Sequence, residues 1–242
     1  MVRVVVPHWY INAPHLPQKK YYTERYGGIM AAQVNEVKEV KVFGHVQELV
    51  GNPSALGLLG LAIVTLVASS QKLGFTAGTA FVLPWAIFLG ACAQFTAGLL
   101  DFKHNNTFGA TAFCGYGFFW FGVAMSWMVT LGMFGEKAAT GFDAHQLGVA
   151  FIGYFIFTMY MTIGSMAASK VLFIIFFLID LLFLGLFMNT LGWGGEIWHG
   201  LAAWSELGIA IFSFYGSAAS VLNTQYGRVL LPVGKPFGPW VK

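Results

Sequence analysis

The sequence predicts an all-α integral membrane protein with six transmembrane helices and both termini cytoplasmic. Three observations predict it. Only 10% of the 242 residues are charged and 57% are hydrophobic, whereas a soluble domain carries roughly 25% charge. The few charges are unevenly placed, so that long stretches after residue 50 carry none. Six apolar runs remain, each near the ~20 residues that take a helix across a hydrocarbon core. Helices are required there, because backbone groups find no water in lipid.

Residues 1–50 read as a polar, cytoplasmic N-terminal extension with three prolines and Lys19, Lys20, Glu24 and Arg25. Val2 to Val6 is a short apolar run broken by Pro7, so the start does not read as a signal peptide. Ile29 to Leu49 allows an amphipathic helix, with Val34, Val37, Val40 and Phe43 near one face, and in places, as at Val40-Lys41-Val42, short strands. A segment lying on the surface is the simpler reading of this extension, and a plug over a pore the alternative. The boundary comes at Asn52-Pro53-Ser54-Ala55-Leu56-Gly57-Leu58. Asn accepts an orphan amide of a first helical turn, and Pro fits the first helical position.

The six spans fall at about 54–70, 79–100, 109–134, 147–168, 171–191 and 201–222. Pro84 is expected to kink the second span. Short connections make neighbouring helices antiparallel. Arg3, Lys19, Lys20, Arg25, Lys38, Lys41, Lys103, Lys170, Arg228, Lys235 and Lys242 then share one side, and Lys72 and Lys137 the other. Positive residues collect inside, which places both ends in the cytoplasm and Trp193, Trp198 and Trp204 near the outer interface. The domain plan is an extension at 1–50, a six-helix transmembrane domain at 51–226 and a cytoplasmic tail at 227–242.

Polar residues inside the spans carry the functional signal. Gly57, Leu61, Thr65 and Ala68 share a face of the first span, and Gly90, Gln94, Ala97 and Asp101 a face of the second. Thr107, Thr111 and Tyr116 follow in the third, and Ser213, Ser217, Ser220 and Asn223 in the sixth. Such stripes serve helix packing or line a path. Asp180 sits alone in the fifth span. An ionisable group at that depth is costly and marks function by default, so Asp180 is a candidate protonatable site, either neutral or bonded to a hydroxyl or amide. Glu206 lies near the outer end of the sixth span, where solvent is expected to reach it.

Several function classes are excluded. There is no basic cluster of the kind that binds nucleic acid. All six histidines lie outside the span cores, so the buried axial ligands of a membrane haem are missing. No HExxH pattern, P-loop or mid-span lysine occurs. Cys92 and Cys114 lie in apolar stretches on different helices and read as buried thiols. No enzyme, cofactor or metal is expected. A channel, a secondary transporter or a structural membrane protein remains.

The motif at Asn52–Leu58 resembles the NPxPLGL signature of the acetate uptake transporter family, with Ala55 in place of a proline. Three further stretches resemble the family in the same order. They are Ala93-Gln94-Phe95-Thr96-Ala97-Gly98-Leu99-Leu100-Asp101, Asn106-Thr107-Phe108-Gly109 with Thr111-Ala112-Phe113 and Tyr116-Gly117, and Leu222-Asn223-Thr224-Gln225-Tyr226-Gly227-Arg228 with Leu231-Pro232. The resemblance runs from about Gly51 to Gly234 and leaves the extension uncovered. It implies six helices per protomer, one pore in each, a homohexamer in the cytoplasmic membrane, and passage of acetate and related small carboxylates such as succinate. It also implies a constriction at Leu61, Tyr116 and Ile179. Tyr116 keeps the family residue; Leu61 and Ile179 are apolar replacements.

The residues suit that chemistry. A pore for a small carboxylate needs donors without deep traps, because an ion must leave as well as enter. The substrate path is expected along Asn52, Pro53, Gly57, Thr65, Gln94, Asn106 and Thr111, whose neutral donors suit passive or proton-linked passage. Asp180 would repel a carboxylate if charged, so it is expected to be neutral or to face away from the lumen. One alternative is a channel for small neutral solutes such as urea, amides, glycerol or water. A single NPS and no span arginine argue against an aquaporin-like one. Another alternative is a non-transporting sensor or scaffold whose extension binds a partner.

Overall fold

The computed structural model describes residues 51–239. The expected extension at 1–50 lies outside the described residues, as do the last three of the tail. Six helices are long and apolar enough to cross a membrane. They are α1 (Ser54–Lys72), α2 (Leu83–Lys103), α3 (Thr107–Thr130), α4 (Ala144–Ser165), α5 (Lys170–Thr190) and α6 (Ile197–Tyr226). Their outer faces carry large apolar side chains, among them Phe88, Met125, Ile156 and Ile211, each more than half exposed. In water such a belt would drive association; in lipid it is the solvated face. The chain is a multi-pass membrane protein.

Local chemistry sets the ends. Asn52 Oδ1 accepts from the Ser54 amide at 3.0 Å, which caps α1 ahead of Pro53. Asn106 Oδ1 accepts from the Gly109 amide at 3.0 Å at the start of α3. Asp143 Oδ1 accepts from the His145 amide at 2.9 Å at the start of α4, and that bond holds the Asp143 carboxyl below its ordinary range. Ser169 Oγ accepts from the Leu172 amide at 3.2 Å and opens α5. α6 ends at Gly227, whose φ of 61° is the left-handed cap that glycine adopts at least cost.

Two features of the second span differ from expectation. Pro84 lies in the first turn of α2, where an amide is dispensable, rather than inside the span. The irregularity comes later, as a π-helical stretch over Ala86–Ala93. These wide turns end at Gln94, whose Nε2 donates back to the Gly90 carbonyl at 2.8 Å. A short helix at Glu136–Thr140 between α3 and α4 has no counterpart in the expected plan.

The helices form a ring in chain order. α1 packs on α2 and α6, α2 on α3, α4 on α5, and α5 on α6. The α3–α4 seam is the loosest. It is joined by Tyr116 Oη with Thr158 Oγ1 at 2.9 Å and by the Tyr154 hydroxyl donating to the Gly115 carbonyl at 3.1 Å. Across α1 and α6, Ser217 Oγ donates to the Ala55 carbonyl at 2.8 Å. α1 and α2 approach closely at Gly60, where any Cβ would collide with the Leu89 carbonyl. Antiparallel neighbours leave two ends of the ring. Asn52, Ser169 and the tail share the near end, and Lys72, Thr190 and Ile197 the far end.

The tail is fastened to the near end. Asn223 Oδ1 accepts from the Leu230 and Leu231 amides at 2.7 and 3.0 Å. The Tyr215 hydroxyl donates to the Pro232 carbonyl at 2.9 Å. The Val171 amide donates to the Val233 carbonyl at 3.0 Å, and the Phe237 amide to the Met166 carbonyl at 2.9 Å.

Candidate functional site: two vestibules and an apolar neck

Two cavities enter the ring from opposite ends. The near vestibule, about 260 Å³, is reached between Asn52, Ser169 and Val233, and its walls include Asn106, Phe113, Gln94 and Phe176. Among the described residues no Lys, Arg, Asp or Glu lines it. The far vestibule, about 180 Å³, lies between Lys72, Thr190 and Glu206 and is walled by Phe119, Trp120, Trp127 and Phe151.

Leu61 of α1, Tyr116 of α3 and Ile179 of α5 all line the near vestibule. Each is nearly sealed from solvent, at 6%, 4% and 3% exposure. The helices bring them together because each lies on the inward face of its own span. Behind them Phe183 stacks on the Tyr116 ring with centroids 6.5 Å apart and meets the Phe119 ring edge-on at 5.0 Å. Phe119 and Leu182 line the far cavity. The partition between the two vestibules is therefore apolar and aromatic.

The expected path residues divide. Asn52, Gln94 and Asn106 line the near vestibule. Pro53, Gly57, Thr65 and Thr111 do not. Pro53 is buried in the first turn of α1. Gly57 instead makes room for the Phe113 ring, which a Cβ there would strike; Phe113 is in turn a vestibule wall. Thr65 Oγ1 donates to the Leu61 carbonyl at 2.7 Å, inside its own helix. Thr111 is half-buried. The Tyr116 hydroxyl pairs with Thr158, so it is not a free donor to the lumen. Gln94 is fully buried, and its Oε1 has no hydrogen-bond partner among the described residues.

Asp180 lines neither vestibule. Its Oδ2 accepts from the Thr162 hydroxyl at 2.6 Å, on the α4 side of α5. The solvated Glu206 expected from the sequence is corrected outright. It is 2% exposed, and its Oε2 lies 2.8 Å from Lys72 Nζ. A helix end near the interface suggested water, but α1 closes over that face of α6. Phe119 and Trp120 are likewise buried. Phe113, Ile175 and Phe176 were missed as walls. The signal was present at Ile175, one helical turn before Ile179. For the Phe rings it was not, since lipid-facing and lumen-facing Phe look alike in sequence. Among the described residues no group of His, Cys, Asp and Glu is placed to hold a metal.

The profile described as the GPR1/FUN34/yaaH family matches residues 37–235. The chain belongs to the GPR1/FUN34/yaaH family. It is 36% identical over 185 residues to the succinate-acetate/proton symporter SatP of Escherichia coli K12, covering 76% of this chain and 95% of that one. It is 30% identical over 179 residues to acetate permease A of Emericella nidulans, covering 70% of this chain and 57% of that one. It is also 30% identical over 188 residues to ammonia transport outward protein 2 of Saccharomyces cerevisiae, covering 74% and 64%. The solved structure of the bacterial acetate channel SatP superposes with a TM-score of 0.70 at 33% identity, covering 77% of this chain and all of that one. For a GPR1/FUN34/yaaH chain, the ring of six helices is thus the shared part. Residues 1–36 fall outside the match.

Proposed function

We propose that this protein carries acetate and related small carboxylates across the membrane, along a path inside each protomer. The observation that carries the reading is the pair of cavities entering one helix ring from opposite ends, the near one lined by Leu61, Tyr116 and Ile179 and the far one by Phe119 and Leu182. The relatives named for acetate support it. The near vestibule offers amides and hydroxyls from Asn52, Asn106, Ser169 and Ser220, with no fixed cation among the described residues. Such donors hold a carboxylate weakly enough to let it go. The neck admits a solute with one small apolar face and sheds water from a charge.

In this reading both ends of the 51–239 segment are cytoplasmic, as the Lys and Arg distribution favours, and the near vestibule faces the cell interior. Asp180, bonded to Thr162 outside the lumen, leaves the carboxylate path unopposed. Protomers assemble as a homohexamer, each with its own path. Residues 227–239 border the cytoplasmic mouth through Val233.

Uptake of labelled acetate by proteoliposomes holding the full chain tests this, with protein-free vesicles subtracted and urea as the comparison solute. Acetate uptake above the protein-free level, with urea at that level, is expected. One observation favours a second reading: a cation-free near vestibule suits small neutral solutes too, and one relative is named for ammonia transport. Urea or ammonia passage without acetate would replace the first reading with that one.

A further inference from the structure

The far vestibule contains a charge pair that an apolar path does not require. Lys72 ends α1, and Glu206 lies within α6. Their side chains are 14% and 3% exposed, with Nζ and Oε2 2.8 Å apart, and both line the cavity. Taking two charges out of water costs several kcal/mol per ion, so a buried pair adds little stability by itself. α1 and α6 are already joined by Ser217 and Ala55.

The surroundings isolate the pair. On α1, Lys72 is the one ionisable side chain. His199 of α6 places Nε2 3.1 Å from the Lys72 carbonyl oxygen. α5 contributes Lys170 at the opposite end and Asp180, engaged by Thr162. On α3 Tyr116 is taken by Thr158, and Cys114 contacts the Phe95 carbonyl. His145 of α4 pairs with Asp143 at 2.9 Å. Against Glu206, Lys72 is therefore the cation within reach among the described residues.

We propose that Lys72 and Glu206 form a proton-coupled carboxylate site in the far vestibule. An arriving carboxylate displaces Glu206 from Lys72. Glu206, buried without its cation, takes one proton from the far-side solution, because an unpaired buried carboxylate neutralises. One anion and one proton have entered, and the site keeps its net charge. The bound carboxylate then takes that proton from Glu206 and leaves Lys72 as the neutral acid. Glu206 is again a carboxylate, and its bond to Lys72 re-forms. The neutral acid crosses the neck at Leu61, Tyr116 and Ile179, where a charge would be penalised, and in the near vestibule gives its proton to the near-side solution while the donors there solvate the anion. Glu206 thus keeps Lys72 from trapping the anion, and each carboxylate travels with one proton.

The proposal rests on the acetate reading above. Acetate uptake by proteoliposomes of the full chain is measured with and without an inward proton gradient, after subtraction of protein-free vesicles. Wild-type uptake is expected to accelerate with the gradient. Glu206→Gln is expected to slow uptake and erase that acceleration, and Glu206→Asp to restore part of it. In Lys72→Met the acetate concentration for half-maximal uptake is expected to rise about tenfold. Acceleration that survives intact in Glu206→Gln overturns the proposal. Wild-type uptake indifferent to the gradient also overturns it, and leaves acetate passage standing. No wild-type uptake at all overturns the acetate reading itself.

A second measurement needs no variant. Trp120 and Trp127 wall the site, so their fluorescence in purified wild-type protein reports acetate binding. Apparent affinity is expected to tighten about tenfold per unit fall in pH above the acid range, since a proton is taken up with the anion. Affinity that is flat with pH overturns the proposal.

Discussion

The two vestibules of one helix ring differ in how they meet a charged solute. The near one is lined by amides, hydroxyls and apolar walls that include Phe108, Phe113 and Phe176, with no charged side chain among the described residues. The far one is smaller, aromatic, and holds the Lys72–Glu206 pair. They are separated by Leu61, Tyr116 and Ile179 on one side and Phe119, Leu182 and Phe183 on the other. The difference shows that a path can be asymmetric although its six helices are alike in composition. In the proposed reading one mouth solvates a carboxylate with weak neutral donors and the other exchanges one ionic partner for another.

The sharpest way to break the comparison is to remove the partition. Tyr116→Ala deletes the ring that packs against Phe183 and Phe176, and the two cavities should merge. Passage of carboxylates bulkier than acetate should rise about tenfold or more, since a methylene-sized fit decides 10–200-fold. Flux of acetate and benzoate through the variant in proteoliposomes checks this; wild-type ratios would rule the neck out. The far vestibule is tested next by stability. Lys72→Met leaves Glu206 buried and uncompensated and should cost about 3 kcal/mol, while Lys72→Met with Glu206→Gln should recover most of it. Thermal melting in detergent reads both. Equal melting of the single and double variants would mean that the pair is not buried as described.

The near vestibule is sharpened by Gly57→Val. The added side chain pushes Phe113 inward, so acetate flux should fall severalfold while its response to the proton gradient persists. Loss of the gradient response with flux intact would reverse the roles assigned to the two ends. The smallest effect is expected at Asn106→Ala. It removes the α3 cap and the Nδ2 bond to Asp101 at 3.2 Å. A stability loss of about 1 kcal/mol with little change in selectivity is expected, measured by melting and by acetate-to-urea flux ratios.

Particular residues show what was legible. Leu61, Tyr116 and Ile179 could be named from resemblance, and the structure puts them on one cavity. Asn52, Gln94 and Asn106 were legible as polar residues at helix starts and on a stripe. Thr65 was misleading, because a hydroxyl inside a span reads as a donor to a path while its geometry bonds it to the carbonyl one turn back. Gly57 was legible as a signature residue but not as the space that admits Phe113. The far vestibule was not foreseen. Lys72 read as a loop cation and Glu206 as a solvated acid.

By itself the sequence determined six spans, their antiparallel order and the capped start of the first. These follow from the length of each apolar run, from the need to satisfy backbone groups within a segment, and from a side chain two residues away from the amide it caps. The tertiary structure alone decided which faces converge. The neck draws on helices far apart in sequence, and the Lys72–Glu206 contact spans 134 residues. Helical periodicity gives each stripe a face but no direction in the ring. Only packing turns one stripe toward a cavity and another toward lipid. It is also packing that removes water from Glu206 and so makes its partner matter.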